Sequence, residues 1–112
     1  MRDEIVFAMD QALNLARESA SAGEVPVGAV VLDSGGNIIG KGANMREQSA
    51  DHLAHAEVLA MKDAAISRKS WNLSDCTLVV TLEPCPMCAG AVLQTRLKRV
   101  IFGAWDAKLG AC

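Results

Sequence analysis

Two short stretches carry the chemistry of this chain: His55-Ala56-Glu57 and Pro84-Cys85-Pro86-Met87-Cys88. One imidazole and two thiols are the nitrogen and sulfur donors that suit Zn²⁺, and three protein ligands leave a fourth position open. A structural zinc site is normally closed by a fourth protein ligand. An open site with a carboxylate two residues from the imidazole therefore reads as catalytic. Zinc lowers the pKa of a water it holds to about 7, and Glu57, outside the ligand set, is the group placed to accept and return a proton. Other readings stay open on spacing alone. Cys-x-x-Cys also serves redox chemistry or half of a structural zinc site, and His52, three residues before His55, can supply a fourth ligand and close the centre. Asn44 is either a turn residue or a substrate contact. Cys76 reads as a buried strand residue and Cys112 as a terminal residue without a catalytic role.

Positioning these groups requires particular elements. Pro86 fits the first position of a helix, where a missing N–H costs nothing, so residues 86–95 are expected to be helical with Cys85 and Cys88 on one side of the first turn. That places both thiols near free N–H groups and the positive end of a helix dipole, which favours thiolates. Residues 55–66 are good helix formers. At 100° per residue, however, two positions along a regular helix face nearly opposite ways. Glu57 can share a pocket with His55 only if His55 lies at the helix mouth, where the turn is not yet regular.

The rest of the chain supplies a frame. Residues 3–21 show helical periodicity, with Ile5, Val6, Met9, Leu13 and Ala16 near one face and Gly23 placed to end the helix. Residues 25–32 are an almost unbroken apolar run, the pattern of a strand covered on both faces. Gly28 within it marks close approach by a ligand or by another element. Turn residues at 33–37 lead to a second strand at 38–44, giving a hairpin. Residues 45–54 read as a loop, and 67–75 as irregular, with Trp71 as a lid on the core. Strands are expected at 76–82 and 99–104. This order predicts an α/β sandwich with helices on both faces of a mixed sheet, the hairpin antiparallel and the two helix-connected strands parallel.

Composition narrows the function classes. The 112 residues are 51% hydrophobic and 21% charged, with a net charge of −2, and they read as one domain able to bury a core without disulfides. The total charge does not advertise nucleic acid. No apolar run is long enough to span a membrane, and the N-terminus is a poor secretory leader, so a cytoplasmic protein is expected.

The residues then resemble a family. Glu24-Val25-Pro26-Val27-Gly28-Ala29-Val30, Ala54-His55-Ala56-Glu57, Thr81 to Ala91 and Phe102-Gly103-Ala104 are similar to bacterial tRNA-specific adenosine deaminases, within the zinc-dependent deaminase superfamily whose signature is His-x-Glu with Pro-Cys-x-x-Cys. The resemblance implies a three-layer α/β/α cytidine-deaminase-like fold, a homodimer, and hydrolytic conversion of adenosine to inosine at the wobble position of a tRNA anticodon stem-loop. It assigns His55, Cys85 and Cys88 to one zinc ion per chain, Glu57 to proton transfer and Asn44 to substrate. It also places Asp106 near the RNA backbone. Guanine and yeast-type cytosine deaminases share much of the pattern, so a free-base deaminase is the alternative, and a zinc-stabilised binding module is a third reading. RNA contacts are expected from Arg46, Arg96, Lys98 and Arg99. Two departures stand out: Asp51-His52-Leu53-Ala54 replaces the usual Asp-Pro-Thr-Ala, and the single deaminase domain, residues 1–112, stops before the final strand and helices of its kin.

Overall fold

The structure, a computed structural model, describes residues 2–103. Helix α1 (Arg2–Ser21) leads to strands β1 (Gly28–Leu32) and β2 (Ile38–Ala43). A short helix α2 (Arg46–Ser49) and a longer helix α3 (Ala56–Arg68) follow, then β3 (Thr77–Val80), α4 (Pro86–Thr95) and β4 (Arg99–Phe102). The sheet order is β2-β1-β3-β4. β1 runs antiparallel to both β2 and β3, whereas β3 and β4, joined through α4, are parallel. The predicted hairpin and parallel pair are both present.

All residues of β1 and β3 are buried, because each central strand is covered on two faces. Side chains of a strand alternate sides, and the two cores follow that alternation. Ala29, Val31, Leu78 and Val80 pack with Ala56, Ala60, Met61 and Ala64 of α3, backed by Ala91 and Val92 of α4. Val30, Leu32 and Val79 pack on the other face with Ala8 of α1, flanked by Met9 and Leu15. Helices on both faces make the expected three layers.

The packed face of α1 differs from the expected one. Its buried residues are Ala8, Ala12, Ala16 and Ser19, while Val6 and Leu13 are 57% and 39% exposed. The cause is contact between backbones. A Cβ on Gly28 would collide with the Ala12 carbonyl oxygen, so α1 lies directly on β1 and only small side chains fit between them. Gly28 thus answers to packing. Gly23 ends the helix region at φ +83°, as expected.

Two further expectations need correction. Residues 45–54 are not all loop, since they contain the one-turn helix α2. Trp71 is 63% exposed and borders a shallow cleft with Val58, Met61, Ala65 and Ala91, so it does not seal the core. Cys76 is fully buried just before β3, as expected. Asp106 and Cys112 lie outside the described residues. Among the described residues no helix is long and apolar enough to cross a membrane.

Candidate metal centre

Two helices begin at the same place. His55 is the N-cap of α3 and Cys85 the N-cap of α4, both with extended backbones, and neither uses its side chain to cap its own helix. N-cap positions favour Ser, Thr, Asp or Asn, whose side-chain oxygens satisfy free N–H groups. Here the cap side chains turn to each other instead. The His55 Nδ1 lies 3.7 Å from the Cys85 Sγ and 3.6 Å from the Cys88 Sγ, and the three donor atoms all fall within 4.8 Å of one another. The turn between β3 and α4 is held by the end of β3. There Thr81 donates its N–H to the Gly28 carbonyl (3.1 Å) and accepts the Gly28 N–H on Oγ1 (3.2 Å).

The donor set fits zinc. Zinc–sulfur and zinc–nitrogen bonds of about 2.3 and 2.0–2.1 Å at a tetrahedral angle put sulfur and nitrogen about 3.5 Å apart, close to the separations found. Electrostatics act differently on the two kinds of donor. The Cys88 thiol is pushed far above its ordinary pKa, first by burial and then by the negative charges of Glu57 and Cys85. This reverses the expectation from the helix dipole alone: without a cation, burial and acidic neighbours prevail, and a bound cation supplies what they lack. His55 is shifted downward by burial and by the charge of Arg46, with a hydrogen bond to the His52 backbone opposing them. The neutral imidazole is the ligating form. His52 reaches the centre through its backbone alone. Its side chain is exposed, and among the described residues it is not in the cluster.

Glu57 is the second residue of α3. Because His55 is extended, the 200° separation of a regular helix does not apply, and both residues line one cleft of about 160 Å³ with Asn44, Arg46 and Leu82. Glu57 is 4% exposed. Burial raises its pKa, and a hydrogen bond from the Cys88 thiol works in the opposite direction. It is therefore a carboxylate in a dry setting, one that accepts a proton more readily than an ordinary glutamate.

Asn44 is 6% exposed. Its Oδ1 accepts the Ala56 N–H at 3.1 Å, capping α3 where His55 does not. Its backbone carbonyl accepts the Ser19 hydroxyl at 3.1 Å. It is a structural residue that also lines the cleft.

Of the four basic residues expected at the RNA, only Arg46 lines the cleft. Arg96 follows the last turn of α4, about 15 Å along the helix from its start. Lys98 and Arg99 precede or open β4, beside Thr77 at the far end of β3. Sequence reasoning also missed Glu24, which is 6% exposed and accepts N–H groups from the start of α2. Its signal was an acid ahead of an apolar run, which no spacing rule ties to a loop 23 residues on.

Known proteins bear on this geometry. Residues 2–104 match the family described as the cytidine and deoxycytidylate deaminase zinc-binding region. The chain is 50% identical over 103 residues to the tRNA-specific adenosine deaminase of Haemophilus influenzae, covering 92% of this chain and 60% of that one. It is 50% identical over 109 residues to a tRNA(Ile)-lysidine synthase of Deinococcus radiodurans, covering 97% of this chain but 19% of that one. The chain thus spans between a fifth and three fifths of the length of these relatives. Among solved structures, a tRNA:A34 deaminase studied for A-to-I editing at the wobble position superposes with a TM-score of 0.91 at 38% identity, covering 95% of this chain and 81% of that one. A guanine deaminase from Bacillus subtilis superposes at 0.83 and 40% identity, covering 88% and 63%. The three-layer architecture is therefore the cytidine-deaminase-like fold.

Proposed function

The chain belongs to the cytidine and deoxycytidylate deaminase zinc-binding family, and from that premise we propose that it deaminates adenosine to inosine at the wobble position of a tRNA anticodon. The observation that carries this reading is a buried carboxylate, Glu57, lining the same cleft as His55 and Cys85, on which the Cys88 thiol also converges. In this reading residues 1–112 form one deaminase domain, and those three residues hold one zinc ion. When bound, zinc supplies the Lewis acidity that makes a water nucleophilic near neutral pH.

The chain's own groups then do the following. Glu57 takes a proton from the attacking water and delivers it to the neighbouring ring nitrogen of adenine as a C–O bond forms at C6. A second proton passes to the amino group, the C6–N bond breaks, ammonia leaves, and a carbonyl remains. One carboxylate serves as base and then as acid because the reaction returns it to its starting state. Asn44 offers the Nδ2 end of its amide to the substrate, its Oδ1 being held by Ala56. Arg46 meets a phosphate. A target base in an anticodon loop is single-stranded and can be turned into a pocket, so a few phosphate contacts suffice despite the net charge of −2. The protein works as a homodimer in the cytoplasm.

Glu57→Ala tests the proposal. Zinc content should stay at one per chain while inosine formation in an anticodon stem-loop falls by about 10²–10⁴-fold or more. Inosine persisting at the wild-type rate in a zinc-loaded variant would reject Glu57 as the proton carrier. The likeness to a guanine deaminase supports a second reading, a free-base deaminase. Ammonia release from free guanine or cytosine, with none from the RNA, would favour it.

A further inference from the structure

Helix α2 is closed at its C-terminal end by the Ala50 N–H but supplies no side-chain cap of its own at its start. It is four residues long and none of them is buried, and an isolated turn of helix is not stable in water. Its N-cap is Met45, which makes no side-chain cap hydrogen bond. The N–H groups that a capping side chain normally satisfies are those of the second and third helical residues, here Glu47 and Gln48. Both are taken by a residue from elsewhere. Glu24 accepts the Glu47 N–H on Oε1 at 3.0 Å and the Gln48 N–H on Oε2 at 2.8 Å.

Glu24 is itself anchored. It is 6% exposed, and its N–H donates to the Ser19 carbonyl at 2.9 Å at the end of α1. Ser19 in turn donates its hydroxyl to the Asn44 carbonyl. One continuous chain of bonds therefore runs from α1 to both ends of the stretch that enters the cleft. The first residue of α2 is Arg46, the only Lys or Arg among the described residues lining the cleft, where it stands with His55 and Glu57.

We propose that Glu24 is a positioning residue: its carboxylate pins α2 from outside and so fixes the Arg46 guanidinium at the mouth of the cleft, where it receives a phosphodiester of the RNA. The inference rests on the RNA reading given above and adds to it the residue that sets affinity for the substrate backbone. A carboxylate matches the task because it offers one oxygen to each N–H, complements the positive end of the turn, and lies near the cation it steers.

A double-mutant cycle tests this on the zinc-loaded protein with an anticodon stem-loop. Glu24→Ala and Arg46→Ala should each raise KM about tenfold, the scale of one charge-assisted contact, with kcat within about twofold. Each should flatten the salt dependence of binding by about one unit of slope. The double variant should be no worse than Arg46→Ala, because Glu24 acts through Arg46. Glu24→Gln, which keeps one acceptor, should recover part of the loss. Amide exchange at Glu47 and Gln48 in the free protein should quicken in Glu24→Ala and stay unchanged in Arg46→Ala. Additive effects on KM, a loss in kcat alone, or unchanged exchange would overturn the proposal. If the wild type turns over free bases and not RNA, the RNA reading fails and the phosphate role fails with it, while exchange at Glu47 and Gln48 still decides whether the pin exists.

Discussion

Asn44 has one task in the fold and a second proposed at the substrate, and the two can be separated. Its Oδ1 caps α3 at the Ala56 N–H, while the proposal gives the Nδ2 end of the amide to the substrate. Asn44→Ala should cost about 1 kcal/mol of stability, the usual effect of losing a cap, and should also raise KM. Asn44→Asp keeps the acceptor and loses the donor, so it should restore the urea midpoint and leave KM raised. If Asn44→Asp restored both, the substrate role would be wrong. The convergence of His55, Cys85 and Cys88 was legible from sequence because soft donors at fixed spacing are rare and few arrangements use them. What spacing did not reveal was how His55 and Glu57 share a pocket. The answer is that His55 is the extended cap of α3 and Glu57 its second residue, a matter of one backbone angle. Using His55 and Cys85 as caps gives up the hydrogen bonds that Ser or Asp would make there, and Asn44 compensates at only one of the two helices.

At the scale of elements, the turn between β1 and β2 carries a pH signature. Asp33 accepts the N–H groups of Gly35 and Asn37, both at 2.9 Å. The Asn37 N–H leads in holding its carboxyl below the ordinary range, while burial opposes it. An unfolded aspartate titrates near 3.9, so the stability Asp33 adds is complete above about pH 4 and disappears as pH falls through its lower folded pKa. Asp33→Asn keeps the acceptor and removes the titration. The difference in urea midpoint between wild type and Asp33→Asn should be flat from pH 7 to about 5 and shrink below about 4; an equal difference at all pH values would contradict this account. The four strands, the three longer helices, the antiparallel hairpin and the parallel β3–β4 pair followed from periodicity and turn residues. The face of α1 did not, because a periodicity argument assumes that bulky residues face inward. Ala8, Ala12 and Ala16 face the sheet here since α1 lies against the bare backbone at Gly28. α2 was illegible for another reason: four residues show no period, and the acid that stabilises them is 23 positions away.

At the scale of the molecule, two helices on one face of the sheet open at adjacent points, α3 after the β2 edge and α4 after central β3. That topology brings residues 30 and 33 positions apart in the chain to 3.6–3.7 Å. Among the described residues Lys98 and Arg99 lie at the other end of β3 and β4, whereas Arg46 lines the cleft. The central claim is that His55, Cys85 and Cys88 hold one zinc ion while Glu57 and His52 stay outside its shell. X-ray absorption at the zinc edge of the purified protein tests this most directly. The account predicts one zinc per chain, with two sulfur neighbours and a single imidazole. A second imidazole from His52, a shell of four sulfurs, or a protein that takes up no zinc would contradict it.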